Sequence, residues 1–191
     1  MTSLTRRTLL ALITVAALIG TLPAQAGPAQ IFQRGPDAAE APFGDKVSPA
    51  IKNYSRAAPH LGTAGLLGEG GVAEAERLGF KTIVDLRTPA EPGQPAEAGL
   101  TEAAGLAYVS IPIAKGAPTE AQLARFAALM EDRAQFPILL HCGSANRVGA
   151  LWTLYRTSKG VPSETAIEEG RAIGMKSREP QVRELLGLPA L

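Results

Sequence analysis

Three strand-like runs alternate with helix-like stretches through the middle of this chain, and that alternation restricts the possible folds more than any other feature. Thr82-Ile83-Val84-Asp85-Leu86 and Ala107-Tyr108-Val109-Ser110-Ile111 are rich in β-branched and aromatic residues. Pro137 to Leu140 is an uninterrupted apolar run. Around them, residues 70–78 read as a short helix that Gly79 is placed to end, and Glu97 to Ala104 as a second, ended by Gly105. Thr119 with Gln122 forms a capping-box pattern. The helix it opens carries Leu123, Phe126, Ala127 and Met130 on one face. Residues 147–157 bring Val148, Leu151, Leu154 and Tyr155 to helical spacing; Ser163 is placed to cap a further helix, and Glu179 to Leu186 form a last one. The pattern predicts an α/β fold, a central mainly parallel sheet with helices on both faces. Such sheets bind ligands at the carboxyl ends of their strands.

The first 26 residues read as a segment that is not part of this fold. Arg6-Arg7 precede an apolar run from Leu9 to Leu22, and Ala24-Gln25-Ala26 is a small-residue cleavage site. The run is short for a membrane span, so no stable span is expected once the signal is removed. Thr5-Arg6-Arg7-Thr8-Leu9-Leu10 resembles the twin-arginine export motif, with Leu9 in place of the usual phenylalanine and no following lysine, and the general secretory route also stays open. A periplasmic or secreted protein is expected. Residues 27–59, interrupted by Pro28, Pro36, Pro42, Pro49 and Pro59, read as a leader or linker, and residues 60–191 as the domain.

Removing residues 1–26 takes away two arginines and no acid, so the formal charge moves from +1 to −1. No basic stripe suggests a nucleic-acid partner, and no polybasic patch suggests a membrane surface. Two histidines and one cysteine, widely scattered, do not suggest a metal site. Gly68-Glu69-Gly70-Gly71 lacks the flanking lysine or repeat of a nucleotide-binding loop. No cofactor is expected.

The chemistry concentrates in His141-Cys142-Gly143-Ser144-Ala145-Asn146-Arg147, at the carboxyl end of the third run. Cys142 is the chain's one cysteine and cannot form an internal disulfide. Three features would hold negative charge there: loop amides turned inward as an anion nest, the positive end of the following helix, and the Arg147 guanidinium, whose planar fork suits an oxyanion. The same parts would bind a small anion. Gly143, Ser144 and Ala145 leave the loop interior open, and Ser144 could also hydrogen-bond the sulfur. Asn146 tolerates left-handed backbone and could brace the loop. By strand alternation His141 points away from the face Cys142 uses and supports the loop from beneath, or simply packs in the core. Cys142 itself could be an inert core cysteine.

At these residues the chain resembles cysteine-dependent phosphatases of the dual-specificity type, and more closely the beta-lactamase-hydrolase-like, phosphatase-like family. The resemblance runs over about residues 60–175, through Gly79 to Arg87, Pro89 to Gln94, Gly105 to Ile113, Pro118-Thr119, the His141-Cys142 loop and Ala150-Leu151-Trp152. It implies a compact α/β catalytic domain with Cys142 as nucleophile and Arg147 on the oxyanion, acting on a small anionic substrate or a phosphoprotein through a phosphocysteine intermediate.

Two departures stand out. The usual phosphatase loop has five residues between cysteine and arginine, and this one has four, Gly143 to Asn146. Four is also the spacing of rhodanese-type sulfurtransferases, in which Cys142 would carry a persulfide. The general acid is also missing, because Ile113 to Thr119 contains no carboxylate. Asp85 is the replacement candidate, with a bond holding Arg87 as its alternative role. Glu91 lies on a turn and could also reach in, while Glu120 sits where a helix start favours an acid. Arg87 is a candidate substrate-binding residue, or else a partner for Glu91. The expectation is an exported phosphatase-like hydrolase. The alternatives are a sulfurtransferase and an oxyanion-binding or redox-sensing module that has lost turnover.

Overall fold

The computed structural model describes residues 39–190. Five strands form one sheet: β1 (Ser55–Ala58), β2 (Leu61–Ala64), β3 (Thr82–Asp85), β4 (Ala107–Ser110) and β5 (Ile138–His141). Their spatial order is β1-β2-β5-β3-β4, with β1 antiparallel to β2 and every other pairing parallel. The described residues also form six α-helices: α1 (Gly71–Arg77), α2 (Gln94–Ala103), α3 (Glu120–Glu131), α4 (Asn146–Ser158), α5 (Ser163–Ala172) and α6 (Glu179–Leu185). The predicted α/β architecture is the one observed.

Strand β5 lies at the centre, and all four of its residues are buried. Covered on both faces, it has no need of polar alternation, which is why Ile138, Leu139 and Leu140 run together. Side-chain alternation sends Ile138, Leu140 and Cys142 into one apolar cluster with Val84, Leu86, Phe126, Val148, Leu151 and Trp152. Leu139 and Ile83 enter the cluster on the other face with Val72, Ala75 and Phe80. Each large side chain fully buried in this way contributes about 1.5–3 kcal/mol. The register aligns Ala64, His141, Asp85 and Ser110 across neighbouring strands. Four parallel strands therefore end level with one another, and Cys142 leaves the sheet at the middle of that edge.

Several local expectations hold closely. Gly79, at φ 82°, follows the last turn of α1 and donates its N–H to the Glu76 carbonyl. The capping box at Thr119 is complete: Gln122 N donates to Thr119 Oγ1, and Thr119 N donates to Gln122 Oε1. Others differ. Helix α2 begins at Gln94 rather than Glu97, because Pro95 in its first turn occupies a position whose N–H has no helical partner. Pro162, not Ser163, is the cap of α5.

The domain boundary expected near residue 60 falls too late. Ala41 and Ile51 are core residues, Ala41 N donates to the Pro59 carbonyl, and Tyr54 donates its hydroxyl proton to the Pro42 carbonyl. Arg56 pairs with Glu40 at 2.5 Å. Residues 39–59 are thus part of the packed domain and supply its edge strand. The expected signal, residues 1–26, lies outside the described residues. Among those described, no helix is long and apolar enough to cross a membrane.

Helices α4 and α5 approach closely. A Cβ built on Gly149 would lie 2.5 Å from the Gly170 carbonyl oxygen and 2.5 Å from Met175 N. Only the absence of side chains there lets the segment after α5 reach the amino end of α4, beside Cys142.

Candidate active site at the Cys142 loop

Cys142 follows the last residue of β5 and is fully buried. After three intervening residues α4 begins, and Ala145 makes this abrupt turn in left-handed conformation at φ 67°. A non-glycine residue there costs on the order of 1–2 kcal/mol and marks a geometry that the surroundings enforce. Sequence reasoning gave the left-handed position to Asn146. Instead Asn146 is the first helical residue, and its side chain is occupied elsewhere. Its Oδ1 accepts from the N–H groups of Lys176 (2.8 Å) and Arg178 (3.4 Å), and its Nδ2 donates to Ser177 Oγ. Asn146 does brace the loop, by tying it to the segment before α6. Among the described residues, the N–H groups from Gly143 through Val148 donate to no protein acceptor, which leaves them for an anion at the start of α4.

Arg147 is held by Glu91. Its Nη1 donates to Glu91 Oε1 at 2.5 Å and its Nη2 to Oε2 at 2.6 Å, while Nη1 also reaches the carbonyls of Leu86 (3.3 Å) and Ile113 (3.2 Å). Glu91 is fixed in turn by the N–H and hydroxyl of Thr88. The Arg147 guanidinium beside it holds the Glu91 carboxyl down at about 2. Glu91 thus reaches the site, as an ionised anchor for the arginine. The bidentate pair uses the far ends of the guanidinium and leaves Nε with no protein acceptor among the described residues. The Glu91 carboxylate, and a Cys142 thiolate, help the guanidinium hold its charge. A pocket of about 440 Å³ opens above, lined by Thr88, Glu91, Lys115, Ser144, Arg147 and Arg178 among others.

Asp85 and Arg87 lie elsewhere. Asp85 Oδ1 accepts from Arg87 N (2.8 Å) and Nε (3.0 Å), and Oδ2 accepts from Arg87 Nη2 (2.9 Å) and the Tyr108 hydroxyl (2.9 Å). This carboxylate is fully buried and has no oxygen left for a leaving group. The expectation that Asp85 supplies the missing acid is corrected on that ground; its alternative role, holding Arg87, is the one seen. Arg87 also pairs with Glu97 at 2.8 Å, not with Glu91. It lines a separate, mostly apolar cavity of about 720 Å³ alongside α1 and α2, so the assignment of Arg87 to the substrate site is corrected as well.

His141 shares this second cluster, on the face opposite Cys142. Its Nδ1 lies 3.3 Å from the Gly65 carbonyl oxygen, which can only accept, and its Nε2 lies 2.8 Å from Glu97 Oε1, off the alignment of a hydrogen bond. It sits beneath the loop, as alternation predicts. Asp85, Glu97 and His141 place potential ligand atoms within 4.8 Å of one another. The Arg87 guanidinium already pairs with both carboxylates, so a divalent cation would have to displace it against like charge. The donor set fits a buried ion-pair network rather than a metal centre. Burial, followed by the Asp85 charge, pushes the Tyr108 hydroxyl well above its usual pKa and keeps it a donor.

Sequence reasoning missed Glu97, Tyr108, Lys115 and Arg178. Tyr108 and Glu97 lie in elements it did identify. Nothing in the sequence marks Arg178, which joins the pocket from 31 residues beyond Arg147.

Solved structures share this fold. P. aeruginosa TpbA, in a cysteine-to-serine form complexed with pTyr, is 25% identical with a TM-score of 0.57 over 80% of this chain and 90% of that one. The core catalytic domain of the PP-IP phosphatase SIW14 from S. cerevisiae, in complex with citrate, is 19% identical with a TM-score of 0.62 over 74% and 87%. Residues 53–159, more than half of the chain, match the family described as beta-lactamase hydrolase-like protein, phosphatase-like domain, and the chain belongs to that family. The beta-lactamase hydrolase-like protein of Agrobacterium fabrum is 32% identical over 95 residues, which are 48% of this chain and 22% of that protein. Its counterpart from Xylella fastidiosa is 30% identical over 96 residues, with the same shares. The match therefore spans about a fifth of the length of these curated relatives.

Proposed function

We propose that the protein is a cysteine-dependent hydrolase of phosphate monoesters, with Cys142 as nucleophile. The observation that carries this reading is the Glu91–Arg147 pair. It fixes a guanidinium beside the only thiol, at the carboxyl edge of the sheet, under a pocket ringed by free amides. Such a guanidinium is aligned before substrate arrives, and preorganised donors are the largest source of stabilisation for charge that develops in a transition state.

In this mechanism the Cys142 sulfur attacks phosphorus and the ester oxygen leaves with the bonding pair. Arg147 and the amides of Gly143 to Val148 hold the equatorial oxygens. Water then attacks the phosphocysteine and releases phosphate, returning the thiolate. Glu91 lines the pocket but is spent on Arg147, and Asp85 is buried away from it, so the leaving oxygen has no positioned proton donor among these candidates.

That shortage sets the substrate preference. Aryl phosphates leave as stable phenolates, whereas alkyl phosphates need a proton worth roughly a hundredfold or more in rate. The reduced protein is expected to hydrolyse p-nitrophenyl phosphate at least about a hundredfold faster than a serine phosphate ester under the same conditions. Comparable rates would overturn the missing-acid argument. The four-residue loop favours one rival, sulfurtransfer through a Cys142 persulfide. Turnover of thiosulfate with a thiol acceptor, and none of aryl phosphate, would establish it instead.

We also propose export, on the strength of Arg6-Arg7, the apolar run from Leu9 to Leu22 and the Ala24-Gln25-Ala26 site. Expression with this leader in a bacterial host should yield a periplasmic form whose mass corresponds to a chain starting at Gly27. A full-length cytoplasmic product would count against it.

A further inference from the structure

Three cations, Arg147, Lys115 and Arg178, and one carboxylate, Glu91, line the pocket beside the Cys142 loop. Arg147 is neutralised by Glu91. Lys115 and Arg178 line the same space. Arg178 directs its guanidinium at two backbone carbonyls, Nη1 to Gly116 and Nη2 to Ala114, and has no carboxylate partner among the described residues. This is unusual within the chain. Every other described arginine that is not exposed is paired with a carboxylate: Arg56, Arg87, Arg147, Arg156, Arg171 and Arg183.

Arg178 is also placed with care. Its N–H and that of Lys176 are bound by the Asn146 side chain, so its backbone is fixed to the first residue after the Cys142 loop. Its guanidinium spans to the 114–116 segment that carries Lys115, drawing two loops together across the pocket mouth. Burial and repulsion from Arg147 both make its charge harder to hold, while the Cys142 and Glu91 charges help to hold it. Two half-buried arginines face one pocket, and a single carboxylate lies there to compensate them.

We propose that Lys115 and Arg178 form a second anion subsite next to the scissile-phosphate position, and that the preferred substrates are small phosphate esters bearing another phosphate beside the one removed. The inference rests on the phosphatase reading for the identity of the first anion. With one phosphate at the loop amides and Arg147, Lys115 and Arg178 are the pocket cations left to contact a neighbouring one. A vicinal phosphate would meet Arg178 through the guanidinium edge not used on the carbonyls, and Lys115 as a mobile point charge.

Calorimetric titration of Cys142→Ser with inorganic pyrophosphate and inorganic phosphate tests this without requiring turnover. Pyrophosphate is expected to bind at least about tenfold more tightly than phosphate, the factor a charge-assisted contact supplies. Lys115→Ala and, separately, Arg178→Lys in the same background should reduce that ratio to about threefold or less, since a lysine at 178 cannot serve the carbonyls and a phosphate together. Lys115 is exposed on a loop, so its substitution reads the site even if the Arg178 variant folds poorly. Equal affinity for the two anions, or a ratio that both variants preserve, would overturn the proposal. A ratio that behaves as expected in a protein that hydrolyses no phosphate ester would refute the phosphatase reading and leave this subsite standing.

Discussion

Cys142→Ser should lower turnover of p-nitrophenyl phosphate by at least about 10⁴-fold with little change in melting temperature. A serine hydroxyl stays protonated at neutral pH unless a base removes its proton, and among the described residues neither His141 nor Glu91 is in position to do so. His141 is the adjacent residue, but it lies on the opposite face of β5, between the Gly65 carbonyl and Glu97. Glu91 is bound to Arg147 and stays ionised down to about pH 2, a weak base at any pH where the protein would be assayed. The substitution is nearly isosteric in a site with no solvent exposure. Initial rates beside a thermal melt would check it, and retention of more than about 1% of the activity would sink the nucleophile assignment.

Arg147→Ala is expected to cost about 10³-fold in kcat/KM, at the upper end of what one preorganised donor provides. Two effects combine. The transition state loses its fixed guanidinium, and the Glu91 carboxylate is left uncompensated at the pocket wall, where it repels the incoming anion. Arg147→Lys should recover little, because an ammonium cannot make the two parallel bonds to Glu91 and still face the phosphate. The double variant Arg147→Ala with Glu91→Gln should recover about tenfold over Arg147→Ala, since the repulsion goes with the charge. Steady-state rates on all four proteins separate these contributions, and a double variant no better than the single would show that repulsion plays no part. The sign with pH follows from the same pair. The folded-state pKa of Glu91 is depressed, so its stabilisation is full above the ordinary carboxylate range and is lost as pH falls toward about 2.

The elements with strong local signals were readable in the sequence. Thr119 and Gln122 announced α3, Gly79 the end of α1, and the apolar run before Cys142 a strand covered on both faces. Alternation along β5 also separated His141 from Cys142 correctly. Strands β1 and β2 were not readable. Ser55-Arg56-Ala57-Ala58 has no β-branched residue, and β2 contains Gly62, where a Cβ would lie 2.8 Å from Phe80 and from Tyr54. Glycine weakens the strand signal there for a reason that exists only after the aromatic rings have packed. At the site, the nucleophile, the arginine and the loop were legible because they are contiguous. The pairings were not. Asp85 and Glu91 are both acids close to Arg87 in sequence, yet one binds Arg87 and the other crosses to Arg147, 56 residues away.

The match to the family ends at residue 159, and Arg178, which lines the pocket, lies beyond it. The Cys142 loop and the strands that present it belong to one stretch of chain, while Arg178 arrives from another, tied to the loop through the Asn146 side chain. If the proposed second subsite exists, substitutions in the later stretch would retune which molecule is admitted. On the phosphatase reading, choice of substrate and power of reaction draw on different stretches of the chain.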